Sequence, residues 1–173
     1  VVHRMDKAIG DLVAGLKQRG VFENTLILFM SDNGGNADAG PKGKTIGDPT
    51  KAHSDWFCGE SWAFPQNTPF RLFKHYNHEG GIATPLIAHW PAGIIAKNEL
   101  LHQPGHLIDI MATCVDVGGA AYPTTFKDKP ITPMEGKSLT TAFKNLPIDR
   151  ESLYWEHEGN AAVRHGDLKL VRK

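Results

Sequence analysis

The sequence predicts an α/β fold that ends in a small antiparallel sheet, and three observations carry that prediction. An amphipathic helical stripe opens the chain, with Ile9, Leu12, Val13 and Leu16 at i, i+3, i+4 and i+7. Two continuous apolar runs, Thr25 to Met30 and Thr84 to Trp90, read as strands buried on both faces, the kind found in a parallel or mixed sheet under helices. At the carboxyl-terminal end, Glu151 to Trp155 and Ala161 to Lys173 read as short strands with a turn at His165-Gly166-Asp167.

Each element has its own signal. The first helix runs from Met5 to Arg19, and Gly20, following Lys17 to Arg19, is placed as the left-handed residue that ends it. No Ser, Thr, Asp or Asn stands before the periodic pattern as an N-cap, so the chain is expected to open inside the helix or its lead-in. The first apolar run ends in Ser31-Asp32-Asn33-Gly34-Gly35. Residues 34–69 show no period and are rich in Gly, Pro, Asn, Asp and Ser, which predicts one long loop. The second run closes at Pro91 and Gly93, and Pro85 belongs near its start. A second packed helix over His106 to Val117 follows from Leu107, Ile110, Met111, Cys114 and Val117, with Gly118-Gly119 as its stop. Residues 120–133 read as a linker, and a short helix is expected around Ser138 to Phe143. The expected division is therefore 1–119, part of an α/β domain, and 120–173, the start of a smaller subdomain cut within a hairpin.

Composition removes several function classes. Lys+Arg 19 balance Asp+Glu 19 and form no block, so the electrostatic footprint of a nucleic-acid binder is missing. No run approaches the ~18 uninterrupted apolar residues of a membrane helix. A hydrophobic share of 40% with 18 glycines is a globular composition, which excludes disorder as the main description. Cys58 and Cys114 allow at most one disulfide and set no compartment. The chain starts at Val1 with no basic-then-apolar leader, so an upstream segment is expected.

Three places carry candidate chemistry. Asp32 and Asn33, directly after a strand, put a carboxylate and an amide where α/β sheets collect ligands, and both are hard oxygen donors suited to Ca²⁺ or Mg²⁺. An ordinary Asp-Asn-Gly turn has the same sequence, and two donors do not complete a shell of six to eight oxygens. Lys74, shortly before Glu79-Gly80-Gly81, could bring an ammonium to an anion, with Arg71 as a second cation or as the partner of Glu79. A solvated loop lysine is the plainer reading. His75 and His78 have a zinc-like spacing, discounted because no third donor stands near them in sequence. His53 and Ser54 form no triad that spacing can test, and Cys58 reads as a small hydrophobe. Glu156-His157-Glu158-Gly159 suits either a pocket rim or a strand-end turn.

The order of these pieces is more specific than any one of them. Asp6-Lys7-Ala8-Ile9-Gly10, Gly20, Glu23-Asn24-Thr25-Leu26, Ser31-Asp32-Asn33-Gly34-Gly35, Lys74 five residues before Glu79-Gly80-Gly81, Pro85, Trp90-Pro91-Ala92-Gly93-Ile94, His106-Leu107-Ile108-Asp109 and Trp155-Glu156-His157-Glu158-Gly159-Asn160 follow one another. Together they resemble the carboxyl-terminal portion of a type I sulfatase of the arylsulfatase group. The resemblance implies an alkaline-phosphatase-like sheet flanked by helices, followed by a small antiparallel sheet with a helix. It implies hydrolysis of aryl or carbohydrate sulfate esters by a formylglycine nucleophile with Ca²⁺. On this chain it maps Asp32 and Asn33 to metal ligands, Lys74 to sulfate contact and His157 to substrate binding. The Cys/Ser-x-Pro-Ser-x-Arg nucleophile motif does not occur in these residues, His75 follows Lys74 where many relatives have glycine, and Ala161 follows Asn160 where close relatives often have Arg. The chain alone is accordingly expected to be an inactive fragment of a periplasmic or secreted enzyme. Its expected partners are a sulfated small molecule or glycan, and other copies of itself, with neither nucleic acid nor membrane. The alternatives are a phosphodiesterase or phosphonate hydrolase of the same superfamily, and a non-catalytic binding module.

Overall fold

The computed structural model describes residues 2–40, 42–48, 50–51 and 55–173, so His53 and Ser54 lie outside the described residues. The element order is α1 (Val2–Gln18), a 3-10 turn (Phe22–Asn24), β1 (Ile27–Met30), β2 (Lys44–Ile46), β3 (Asp55–Phe57), α2 (Glu60–Asn67), α3 (Glu79–Ile82), β4 (Leu86–His89), α4 (Asp109–Val117), β5 (Thr125–Phe126), β6 (Lys129–Pro130), α5 (Thr140–Phe143), β7 (Ser152–His157), β8 (Asn160–His165) and β9 (Leu168–Arg172). The α/β composition and the carboxyl-terminal antiparallel sheet are as expected. Contacts divide the chain into two compact units, one of residues 1–29 and 87–149, the other of 30–86 and 150–173.

In the first unit, α1 ends as its sequence dictates. Gly20 adopts φ +70, the Val21 amide donates to Leu16 O at 3.1 Å and the Gly20 amide to Lys17 O at 3.0 Å. Those two bonds are a Schellman cap, which needs a residue tolerant of the left-handed region at that position. The Trp90-Pro91-Ala92-Gly93 turn docks on the short turn after α1, through Trp90 Nε1 to Asn24 Oδ1 at 3.2 Å and the Ala92 amide to Glu23 O at 2.9 Å. Helix α4 is fixed by two fully buried polar residues. Asp109 accepts the amides of His106 (2.7 Å) and Lys137 (2.9 Å), and Thr113 Oγ1 accepts the Leu139 amide at 3.0 Å while donating to Asp109 O at 2.7 Å. Buried polar groups persist in cores only when satisfied in this way.

Two expectations need correcting. Strand β1 pairs with β4, and neither is buried on both faces: Phe29 is 42% exposed and Ile87 60%. A two-stranded sheet offers too little cover, whatever the apolar run suggests. Residues 34–69 are not one irregular loop, because they contain the β2–β3 hairpin and α2, with Pro65 inside the helix. Three-residue strands and an eight-residue helix are too short to leave a readable period.

In the second unit, Phe73 packs edge-on against Phe64 and Tyr76, each with ring centroids 5.3 Å apart, over the buried Ala37 and Ala63. Strands β7, β8 and β9 form an antiparallel meander in that order, with turns at Glu158-Gly159 and Gly166-Asp167.

Candidate functional site

The Ser31 to Gly35 turn and the Lys74 to Gly81 segment are one packing unit. The Gly34 amide donates to Gly81 O at 2.9 Å, and a side chain on Gly34 would place its Cβ 1.8 Å from Gly80 O. On the other side, a Cβ on Gly80 would lie 2.0 Å from Leu72 O and one on Gly81 1.9 Å from Tyr76 O. The missing side chain of Gly34 is thus the condition for the two backbones to touch, and those of Gly80 and Gly81 the condition for residues 71–81 to fold closely on themselves. Asn67 at the end of α2 completes the clamp: its Oδ1 accepts the Gly35 amide at 2.8 Å and its Nδ2 donates to Ala63 O at 2.8 Å and Leu72 O at 3.2 Å. The Lys74 amide then donates to Gly35 O at 2.9 Å. Backbone contacts therefore hold the Asp32-Asn33 turn and Lys74 next to each other.

Asp32 is exposed and Asn33 half-buried. Among the described residues, no hydrogen bond or ion pair occupies the Asp32 carboxylate or the Asn33 side-chain amide; only the Asn33 carbonyl is used, by Ser31 Oγ at 2.9 Å. Their oxygens are available, hard and adjacent, a donor set that fits part of a Ca²⁺ shell. Lys74 extends its ammonium to Asp38 Oδ2 at 3.3 Å, with the side chain 33% exposed. Asp38 was not singled out from the sequence. It lies in the stretch without period and also accepts His75 Nε2 at 2.7 Å. His75 Nδ1 meets Glu158 Oε2 at 3.0 Å, and the His157 ring lies 6.0 Å away, nearly parallel at 18°.

The electrostatics follow from these contacts. The hydrogen bond from His75, helped by Asn36 and Lys74, pulls the Asp38 carboxyl below its ordinary range. Asp38 above all, then Glu158, pushes His75 up, because carboxylates on both ring nitrogens favour the imidazolium. His78 behaves oppositely. Burial, then the positive charges of Arg71, Lys173 and Lys169, lower it, and its Nδ1 is buried with no hydrogen-bond partner.

The expected Arg71–Glu79 partnership is not formed. Glu79 pairs with Lys169 from β9, while Arg71 contributes its carbonyl to the Gly80 amide at 2.9 Å. His157 ends β7 and stands 56% exposed beside Glu158, so the Glu156 to Gly159 run is a strand-end turn and contributes side chains to this cluster as well. Asn77, 3% exposed, donates to Asn160 O at 2.9 Å, and Asn160 Nδ2 donates to His75 O at 3.3 Å. Nothing in the local sequence could reveal contacts of side chains more than 80 positions apart.

The family model described as Sulfatase matches residues 1–120, and the chain belongs to the sulfatase family. Over 175 residues it is 30% identical to a sulfatase of Formosa agariphila, covering 99% of this chain and 26% of that one. It is 29% identical to the N-acetylgalactosamine-6-sulfatase of Mus musculus, over 97% of this chain and 27% of the relative. Among solved structures, PsFucS1 sulfatase from Pseudoalteromonas sp. superposes with a TM-score of 0.64 at 30% identity, covering 96% of this chain and 28% of that one. Ps i-CgsB, solved with k-i-k-neocarrahexaose, superposes with a TM-score of 0.70 at 24% identity over 99% of this chain and 33% of that one, a likeness of fold. The alkaline-phosphatase-like α/β class stands. The chain spans about a quarter of the length of the curated relatives it matches.

Proposed function

We propose that this chain is the carboxyl-terminal part of a sulfatase that hydrolyses aryl or carbohydrate sulfate esters, and that it supplies the metal and anion side of the active site. The observation that supports this reading is the interlock of the two glycine motifs, which fixes Asp32, Asn33 and Lys74 in one neighbourhood. Asp32 and Asn33 would hold Ca²⁺, which when bound neutralises charge on the sulfate oxygens. Lys74 has three N–H donors, so it can keep one on Asp38 and offer another to a sulfate oxygen. A preoriented ammonium stabilises charge that develops during ester cleavage without reorganising at that moment. His157 is the candidate for substrate binding at the rim. The formylglycine nucleophile belongs to a segment outside these 173 residues, so the chain alone is inactive. The substrate is a sulfated small molecule or glycan, the enzyme is periplasmic or secreted, and no helix among the described residues is long and apolar enough to cross a membrane.

The test is a chromogenic sulfate ester assay, with Ca²⁺, on the polypeptide that joins this chain to its nucleophile-bearing segment. Lys74→Ala is expected to lower kcat/KM by about 10²-fold or more, in line with the loss of one preorganised donor. Full activity in that variant would remove Lys74 from the chemistry. Activity on phosphate diesters or phosphonates, with none on the sulfate ester, would favour the superfamily alternative, and inactivity on all of them a binding module.

A further inference from the structure

We propose that His75, His157 and Glu158 form a second metal site, one for a borderline transition-metal ion of the Zn²⁺ class, bound through His75 Nδ1, His157 Nε2 and Glu158 Oε2. Among the described residues this is the trio of His, Cys, Asp or Glu whose candidate ligand atoms all lie within 4.8 Å of one another. Glu158 Oε2 is 3.0 Å from His75 Nδ1 and 3.8 Å from His157 Nε2. Neighbouring ligand atoms around a tetrahedral zinc stand about 3.4 Å apart, given bonds of roughly 2.0–2.2 Å, so small side-chain rotations suffice. Two imidazoles and one carboxylate are the ligand set of open zinc sites, with a fourth position left for water or an anion. The nitrogen donors separate this site from the oxygen-only pair Asp32 and Asn33, which suits Ca²⁺.

A further observation points the same way. Histidine ligands of zinc commonly donate their other ring N–H to a carboxylate, which fixes the tautomer and aims the ligating nitrogen. Asp38 Oδ1 stands 2.7 Å from His75 Nε2, which leaves Nδ1 as the ligating atom facing Glu158. The backbone is held independently of these ligands. Asn77 and Asn160 bolt the 157–160 turn to the 75–77 segment, and His75 is kept at φ +84, a conformation that only surrounding structure can impose on a residue with a side chain. On metal binding, any proton on His75 Nδ1 passes to solvent and its lone pair goes to the ion. The sequence spacing of His75 and His78 misdirects here, because the other two ligands come from the β7–β8 turn.

The experiment is titration of the metal-stripped chain with Zn²⁺ by calorimetry, and with Co²⁺ followed by its visible absorption. One ion per chain is expected, with the intense bands of a low-coordinate Co²⁺ and no displacement by equimolar Ca²⁺. His157→Ala and Glu158→Gln alter exposed side chains and should each weaken Zn²⁺ at least 10-fold. Asp38→Asn should weaken it about 10- to 100-fold without removing a ligand, and His78→Gln should leave it unchanged. Zn²⁺ added to the unaltered chain should shift the ring nitrogens of His75 and His157 in NMR spectra and no others, a readout independent of any variant. Unmoved resonances at both rings, or wild-type affinity in His157→Ala, would overturn the site. Either result leaves the metal and anion roles of Asp32, Asn33 and Lys74 untouched, since none of the three is a ligand of this second site.

Discussion

At the scale of single residues, three histidines of one region experience three different environments. Carboxylates on both sides, Asp38 above all, push His75 up, His157 stands exposed beside it, and burial, then Arg71, Lys173 and Lys169, push His78 down. The His78 value lies below the ordinary 6.5, so between that folded value and 6.5 the unfolded chain binds a proton that the folded chain refuses. Stability should therefore fall as pH drops through 6.5 and level off below the folded value. His78→Gln removes the titration, and urea denaturation between pH 7.5 and about 5 should show a shallower decline for the variant. An equally steep decline would assign the effect elsewhere. The role of His78 was not legible in the sequence, where its zinc-like spacing from His75 was discounted for want of a third donor nearby. The three cations that disfavour its charge are Arg71, Lys169 of β9 and Lys173 just after it, a neighbourhood no local pattern encodes.

At the scale of elements, what could be read was whatever a repeating pattern or a cap encodes. Helix α1 and its Gly20 cap, strands β1 and β4, helix α4 and the β7–β9 meander all coincide with periodic runs or turn signals. The β2–β3 hairpin and α2 were hidden, being short and rich in loop-forming residues, and Pro65 inside α2 reads as a breaker. The glycine motifs were legible as turns. Their contact with each other was not, because it depends on backbone atoms with no side-chain signature. That contact makes a sharp prediction. In Gly34→Ala the new Cβ meets the Gly80 carbonyl oxygen, a backbone atom that cannot turn aside, so the variant should lose about 1–3 kcal/mol or more in denaturant titration. Gly119→Ala makes a useful contrast, since no atom lies within 4 Å of its Cβ and its cost is confined to the positive φ. Equal stabilities for the parent chain and Gly34→Ala would mean the interlock is not formed.

At the scale of the whole molecule, the chain exposes much apolar surface. Tyr154, Leu168 and Leu170 of the carboxyl-terminal sheet are each more than 70% exposed, and Ile87 of β4 is 60% exposed. Surface of this kind on a chain spanning a quarter of its relatives should drive copies together, and light scattering at rising concentration should report a mass above the monomer. A constant monomer mass would contradict this. The central claim, that the Asp32-Asn33 turn is a metal seat, is tested most directly by titrating Ca²⁺ into the ¹⁵N-labelled chain. The account predicts saturable amide shifts centred on residues 31–35, with a Kd of roughly a millimolar because two ligands make only part of a shell, and loss of those shifts in Asp32→Ala. Unmoved resonances at 31–35, or shifts that persist in Asp32→Ala, would contradict it.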